Sequence, residues 1–377
     1  MFNLNRKFLL STLANCLFFI NFSSFFLLPL FLDNLDFQKY EIGILMGSFG
    51  ISSIFLTPIT STLIDKYGKK LLGIIALLVM ISTSLLFAFS ESFYVFMILR
   101  IFQGASFSIF FNSSSALASD NLEESQRKRG LSIYYSSTIF PYFIGPYFGE
   151  YIIINFGYLY FFIFSAIFSI LALIILYQVD DDEKNNMTKE NINFNDFFKL
   201  VNDSNSKKLL ITNFLSSTGF GVIMNFIAIF LKSKDLKAGI FFVIYSVTVT
   251  IFRLFLSDLF SEKNLFKKVL LMLALFSTSI FFMPLIDSIL FIIIFSIIFS
   301  STYALIYPFV SNLLVGPKSQ SNSGRLFGAL NATFGLGVHL MTFVFGYIIH
   351  IYDFNIGFRV ASIFILLGTF LLYLKEK

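Results

Sequence analysis

The feature that most constrains this chain is the recurrence of apolar runs of about 20 residues, separated by short polar breaks. A run of that length spans the hydrocarbon core of a bilayer as a helix. The chain is 56% hydrophobic and 13% charged, more apolar surface than a soluble fold can hide. The runs lack a period-two alternation, and open sheet edges are not tolerated in lipid. The sequence therefore predicts an all-α membrane protein.

Twelve such runs can be counted, six on each side of a polar stretch. We predict an N-terminal six-helix bundle at 1–178, a cytoplasmic linker at 179–208 and a C-terminal six-helix bundle at 209–377. The predicted spans are 8–32, 42–64, 71–90, 93–117, 131–154, 158–178, 209–231, 238–258, 268–286, 289–315, 326–349 and 355–374. The first span is too long for a signal-peptide core, so we expect it to be retained.

The charges of the loops predict the orientation. With twelve spans both termini share one side, and 20 of the 27 Lys and Arg residues fall on that side. The opposite side has Lys39, Lys232, Lys234 and Lys237, and three arginines fall within spans. Cytoplasmic loops carry the excess of Lys and Arg. We therefore expect a multi-pass protein of the inner (plasma) membrane with both termini in the cytoplasm.

The loop between the second and third spans carries the most specific motif, Pro58-Ile-Thr-Ser-Thr-Leu-Ile-Asp-Lys-Tyr-Gly-Lys-Lys. It resembles the loop signature of the major facilitator superfamily, Gly-x-Leu-x-Asp-Arg-x-Gly-Arg-Arg, with Ser61 in place of the first Gly. A glycine permits a turn that other residues resist, and an aspartate at a helix C-terminus needs a partner. We interpret five residues of this loop as a gate that latches one conformation: Asp65, Lys66, Gly68, Lys69 and Lys70. A plain positive-inside loop is the alternative.

Two further motifs support the resemblance. Arg100-Ile-Phe-Gln103-Gly104 in the fourth span is similar to the Arg-x-x-Gln-Gly of that family, and Gly145-Pro146-x-x-Gly149 in the fifth is similar to its antiporter element. Here Glu150 replaces the last glycine of that element. Glycines let helices approach closely, and a proline permits a bend, so Gly104, Gly145, Pro146 and Gly149 are also candidates for packing alone. The resemblance implies two six-helix bundles and transport, most like the small-molecule and sugar efflux group.

Three ionisable residues within spans are candidates for coupling transport to protons. Arg100 and Glu150 lie at similar depths near the outer end of successive spans, which allows a pair that protonation could open. A snorkelling arginine and a carboxylate that reaches the headgroups are the alternatives. His339 lies near the middle of the eleventh span, where a histidine relays protons or simply packs with a hydrogen bond.

Polar residues within spans mark a predicted substrate cavity, although each alone is more often a contact between helices. The candidates are Asn21, Gln103, Asn112, Tyr134, Asn213, Asn225, Tyr245, Tyr303, Tyr307 and Asn331. The resemblance favours Asn21, Gln103, Asn213 and Tyr303, because spans 1, 4, 7 and 10 line the cavity in that family. The set is mostly neutral and aromatic, which indicates an uncharged or amphipathic organic substrate.

These features together predict a monomeric secondary transporter that works by alternating access, as a proton-coupled exporter of a small organic molecule. The partners are lipid, the substrate and protons, with no cofactor, metal or nucleic acid. Uptake by symport or facilitated diffusion, and a non-transporting sensor, stay open as alternatives. An enzyme is disfavoured, since no clustered His and Asp or His-Glu-x-x-His run is present.

Overall fold

A computed structural model of the chain describes residues 5–122, 127–179, 203–256, 264–314 and 323–376. Within these ranges every regular element is helical. Most of the predicted linker at 179–208 lies outside the described residues, so that boundary stays a prediction. The described helices are α1 (Arg6–Ser24), α2 (Leu28–Asn34), α3 (Lys39–Tyr67), α4 (Lys69–Leu86), α5 (Phe93–Asp120), α6 (Arg127–Ser136), α7 (Pro141–Phe156), α8 (Tyr158–Tyr177), α9 (Ser204–Lys232), α10 (Ala238–Ile251), α11 (Leu265–Phe282), α12 (Ile289–Ala304), α13 (Ile306–Leu314), α14 (Ser323–Gly335), α15 (Met341–Ile351) and α16 (Phe354–Leu374).

Several predicted spans are formed by two helices in succession. A single 3₁₀ turn, Phe25–Leu27, joins α1 to α2, and a π-helical turn, Leu336–Leu340, joins α14 to α15. In the described part of the chain, 11 helical segments are long and apolar enough to cross a membrane. All-helical membrane architecture is thus confirmed.

The fifth predicted span, 131–154, is interrupted by a non-helical turn. Its helix α6 ends at Ser136, four residues of turn follow, and α7 begins at Pro141. Proline has no backbone N–H and its ring fixes φ, so it fits the first helical position better than a helix interior. Pro141 therefore starts a new helix here.

Two compact units make up the chain. Unit 1 comprises Met1–Asp36, Ser48–Met187 and Lys237–Ser246, and unit 2 comprises Phe37–Gly47, Thr188–Leu236 and Val247–Lys377. Each unit thus contains a short segment from the opposite half of the sequence. Helices α3 and α10 both begin in one unit and continue into the other.

Each unit is organised around one central helix. In unit 1, α1 packs against α5, α7 and α8, and in unit 2, α9 packs against α13, α14 and α16. The most apolar window of the α1–α2 span is 83% buried and that of α9 is 94% buried, against 39–50% for the remaining spans. The first span of each half is therefore shielded from lipid by its neighbours.

Glycines bring helix backbones into contact inside unit 1. A Cβ at Gly104 of α5 would overlap the carbonyl oxygen of Phe49 on α3, and one at Gly145 of α7 would lie 2.7 Å from the carbonyl oxygen of Ile20 on α1. The hydroxyl of Ser23 then donates a hydrogen bond of 2.8 Å to the carbonyl oxygen of Pro141. Close approach of this kind stabilises helix pairs in lipid, where apolar burial contributes little.

Replacing Gly104 by alanine should destabilise the protein, because the new methyl group would overlap the backbone carbonyl oxygen of Phe49 as well as the hydroxyl of Ser52, and the backbone cannot turn aside. Overpacking of this kind costs about 1–3 kcal/mol. The measurement is the thermal unfolding midpoint of the purified protein in detergent. Gly328→Ala is the matched control, since a Cβ at Gly328 has nothing within 4 Å. Equal midpoints for the two variants would contradict the close approach.

Candidate functional site

One face of α5 carries polar and aromatic residues on the side of the helix away from lipid. At 3.6 residues per turn, successive residues are about 100° apart, so Arg100, Phe107 and Phe111 share one face. Tyr94 and Phe102, which are 71% and 53% exposed, lie on the opposite face. A cation is not stable against hydrocarbon, and Arg100 is only 5% exposed. The face that bears it therefore belongs to the protein interior.

Arg100 is held by a polar and an aromatic neighbour. Its Nη1 donates a hydrogen bond of 3.0 Å to Oε1 of Gln103, and its guanidinium carbon lies 4.7 Å from the centroid of the Phe49 ring. A guanidinium over an aromatic face is attracted by the ring quadrupole. Gln103 is 1% exposed, and its Nε2 has no hydrogen-bond partner among the described residues. A buried amide donor is thus left next to a buried cation.

Beside this pair lies a group of rings that we call the aromatic wall: Phe22, Phe49, Phe107, Phe111 and Tyr142. The Phe107 centroid lies 4.8 Å from that of Phe22, 5.5 Å from that of Phe49 and 5.9 Å from that of Phe111. Tyr142 lies 6.4 Å from Phe22. All except Phe49 are half-buried. The wall therefore keeps accessible ring surface close to Arg100.

Several residues predicted to line the cavity instead join helices to each other. The Asn21 amide is fully buried and donates to the Ser84 hydroxyl at 3.0 Å and the Ser165 carbonyl oxygen at 2.7 Å. In unit 2 the Asn213 amide donates to the Leu330 carbonyl oxygen at 2.7 Å. Both side chains are fully buried, so in this structure they are contacts between helices, the alternative that the sequence left open.

The same holds for two further cavity candidates. The fully buried Tyr134 hydroxyl donates to Oδ1 of Asn15 and to the hydroxyl of Ser114, each at 3.0 Å. The Asn225 amide donates to the Thr342 hydroxyl at 3.1 Å. An unmet polar group in lipid costs several kcal/mol, about 2–7 by transfer measurements, which explains why each finds a partner on another helix.

Three other cavity candidates, all in unit 2, contact an aromatic or a polar neighbour. In unit 2, Tyr303 stacks on Phe220 with centroids 4.8 Å apart, and the Tyr307 hydroxyl donates to Asn331 at 3.0 Å. His339 is half-buried in the π-helical turn before α15. Such turns are often found at functional sites.

In unit 1, the predicted cavity residues Asn112 and Tyr245 lie at the margins of the wall. The Asn112 amide donates to the carbonyl oxygen of Ser108 one turn earlier on α5 at 2.8 Å. The Tyr245 ring, in the middle of α10, lies 5.9 Å from the Tyr142 ring. Tyr245 therefore extends the aromatic wall, whereas the Asn112 amide forms its hydrogen bond within its own helix.

The predicted gating loop is a single-residue connection between α3 and α4. Gly68 has φ of +85°, the left-handed region that the sequence predicted it would need. The ammonium of Lys69 forms an ion pair with the carboxylate of Asp120 at the end of α5, and that of Lys70 donates to the carbonyl oxygen of Tyr177 at 2.8 Å. The loop thus connects to both α5 and α8.

The rest of the loop motif lies at the end of α3. Lys66 is exposed, with its ammonium 4.9 Å from the centroid of the Tyr67 ring. Asp65 lies in the last turn of α3, and its side chain is outside the described part of the structure. Sequence reasoning missed Asp120 as a partner, although an acid at the C-terminal end of the fourth span, followed by several cations, is the signal that could have revealed it.

Glu150 does not pair with Arg100, contrary to the possibility that their depths suggested. Its carboxylate accepts hydrogen bonds from the backbone N–H of Ala238 at 2.8 Å and of Gly239 at 2.7 Å. These are the first residues of α10, where N–H groups lack acceptors within the helix. Glu150 is also only 9% exposed. The amides that hold it are far away in the sequence.

Comparison with known proteins agrees with this architecture. The chain matches the family model of the Major Facilitator Superfamily over residues 8–316 and 209–377. The Quinolone resistance protein NorA of Staphylococcus aureus is 31% identical over 120 residues, which cover 32% of this chain and 31% of that protein. The Probable vesicular acetylcholine transporter-B of Danio rerio is 32% identical over 110 residues, 29% of this chain and 22% of that protein. The chain therefore matches about a third or less of the length of these curated relatives.

Solved structures share the whole fold. A mutant of the nucleoside transporter NupG matches with a TM-score of 0.86 at 14% identity, covering 99% of this chain and 100% of that one. The human organic anion transporter MFSD10 matches with a TM-score of 0.72 at 16% identity over the same shares. The fold and the family model define a multi-pass membrane transporter of small molecules, and not an enzyme. The chain belongs to the Major Facilitator Superfamily.

The Lys69–Asp120 pair gives a prediction for the loop. Because the Asp120 side chain is 47% exposed, we expect a coupling of about 1 kcal/mol or less in a double-mutant cycle on thermal stability, with Lys69→Met, Asp120→Asn and the double variant. Lys66→Met with Asp120→Asn is the control cycle and should show no coupling. Additive effects in the Lys69 cycle would mean that the pair does not hold α4 to α5.

Proposed function

We propose that this transporter exports a flat, amphipathic aromatic molecule from the cell in exchange for protons, by alternating access. It acts as a monomer in the inner (plasma) membrane, with both termini in the cytoplasm. The observation that carries the proposal is the aromatic wall beside Arg100 and Gln103, on a helix face turned away from lipid. It supports a binding surface for an organic molecule and not merely a packing contact.

The chemistry of the wall supports the substrate class. Half-buried rings of Phe22, Phe107, Phe111 and Tyr142 offer π faces on which a planar ring can stack, each such pair contributing about 0.5–1.5 kcal/mol. Arg100 and the Nε2 of Gln103 add a positive charge and a buried donor at one end. Ligand sites typically combine such apolar surface with a few polar groups that fix orientation. A ring that carries an acceptor or a carboxylate fits both parts.

The direction of transport is supported by one relative. NorA is named for resistance to quinolones, and a membrane transporter confers resistance by moving a compound out of the cell. Quinolones are planar aromatic acids, the chemistry that the wall and Arg100 would accept. The excess of cations on the side of both termini supports the proposed orientation. Glu150, Arg100 and His339 are the ionisable residues through which protons would be coupled.

Proteoliposomes loaded with an acidic lumen test the proposal with a fluorescent quinolone as the probe. An exporter that exchanges protons should concentrate the quinolone in the lumen, and an ionophore that collapses the pH gradient should abolish this. Protein-free liposomes control for passive movement of the acid. Transport that does not depend on the pH gradient would exclude proton exchange. Accumulation driven by an acidic external medium would instead favour uptake by symport.

Phe107→Ala should raise the KM for the quinolone about 2- to 10-fold, since it removes one stacking partner. Phe102→Ala is the matched control, because Phe102 lies on the same helix but on its lipid-facing side, with 53% of its surface exposed. The control should leave KM unchanged. A KM that rises equally in both variants would count against the wall as the binding surface.

A further inference from the structure

Glu150 is a buried acid in α7 whose carboxylate oxygens each accept one backbone hydrogen bond from the first turn of α10. We infer that Glu150 is the proton-binding site of the transporter. In its charged form it holds α7 to α10, and in its protonated form it releases that contact. The inference rests on the proposed function only for the claim that protons drive export.

The geometry favours a charged carboxylate. The amides of Ala238 and Gly239 point out of the start of α10, and the helix dipole places partial positive charge at that end. Each oxygen has its own donor, with N···O distances of 2.8 and 2.7 Å. Hydrogen bonds to an ionised acceptor are about twice as strong as neutral ones. The two bonds offset part of the cost of burying the charge.

Protonation changes this arrangement in a definite way. An ionised carboxylate only accepts hydrogen bonds, whereas a protonated one has an O–H donor on one oxygen. That hydrogen would face an amide hydrogen across a short distance. One of the two bonds to α10 is then lost, and the other loses its charge assistance. The contact between α7 and α10 therefore depends on a single proton.

The close approach at Gly239 makes the contact between α7 and α10 sensitive to small movements of either helix. A Cβ at Gly239 would lie 3.0 Å from Oε2 of Glu150 and 3.0 Å from the Cα of Tyr147 on α7. The backbone of α10 thus lies directly against α7, and a methyl group at Gly239 would fit only if a neighbour moved by a few tenths of an ångström. A small separation of the two helices would break both hydrogen bonds.

Other ionisable groups near Glu150 do not replace it in this role. Lys237, which directly precedes α10 and is exposed, attracts the carboxylate electrostatically. The other titratable groups on α7 and on the described helices that contact it are Tyr142, Tyr147 and Tyr151 on α7, Tyr158, Tyr160 and Tyr177 on α8, Arg6, Lys7 and Cys16 on α1, and Tyr245 on α10. The Tyr158 hydroxyl donates to the carbonyl oxygen of Leu30 at 3.0 Å and so has its own partner. Glu150 is the acid that contacts α10.

The position of the contact fits exchange with external protons. Helix α10 follows the loop of Lys232, Lys234 and Lys237, which the charge distribution assigns to the outside. Protons that reach Glu150 would therefore come from the outer side. Release of α7 from α10 on that side is a change that alternating access requires.

A single tryptophan reports on the contact without any substrate, because the chain contains no Trp. Tyr147→Trp places the probe beside Gly239 in the purified full-length protein in nanodiscs. Its fluorescence should follow pH as a single titration. Adding Glu150→Gln, which cannot ionise, should abolish that titration, whereas Glu91→Gln, an exposed acid, should leave it unchanged.

A second pair of variants keeps the test valid if Glu150→Gln fails to fold. Gly239→Ala pushes the amides away from the carboxylate and should shift the midpoint, whereas Gly328→Ala should not. A titration that survives in Glu150→Gln, or is unmoved in Gly239→Ala, would overturn the inference. Because no transport is measured, a failure here is distinct from a failure of the quinolone assay, which tests the proposed function.

Discussion

The structure depends on the requirement that buried polar groups find hydrogen-bond partners within the protein, since lipid offers none. The helices satisfy their own backbones, and polar side chains then connect one helix to another. Asn21 and Tyr134 do this in unit 1, and Asn213 and Asn225 in unit 2. Four of the ten residues from which the sequence predicted a cavity are thus contacts that hold each unit together.

Small residues decide which of these contacts can form. At Gly104 and Gly145 the backbones of adjacent helices touch, and at Gly239 the start of α10 comes within bonding distance of a side chain on α7. Where helices lie this close, a carboxylate can reach backbone amides directly and a guanidinium can lie over the ring of Phe49. Packing by glycine therefore places charge as well as stabilising the bundle.

Arg100 and Glu150 illustrate two ways of keeping a charge inside a membrane protein. Arg100 uses a neutral amide and an aromatic face, whereas Glu150 uses the amides at a helix start. Each charge is costly in lipid and persists only with such support. Both are buried, so each position carries a cost that an apolar residue would avoid. That makes them the natural places to look for substrate binding and proton binding.

The sequence alone determined the helical, membrane-spanning character of the apolar runs, their charge asymmetry and the turn at Gly68, because hydropathy, charge and glycine conformation are local properties of the chain. The match to the family confirmed the fold that those properties predicted. The partners of the polar residues were decided by the tertiary structure. Glu150 binds amides 88 and 89 positions away, and Lys69 pairs with an aspartate 51 positions away. Such choices depend on which helices are neighbours and how closely they approach, and neither is encoded in any single stretch of sequence.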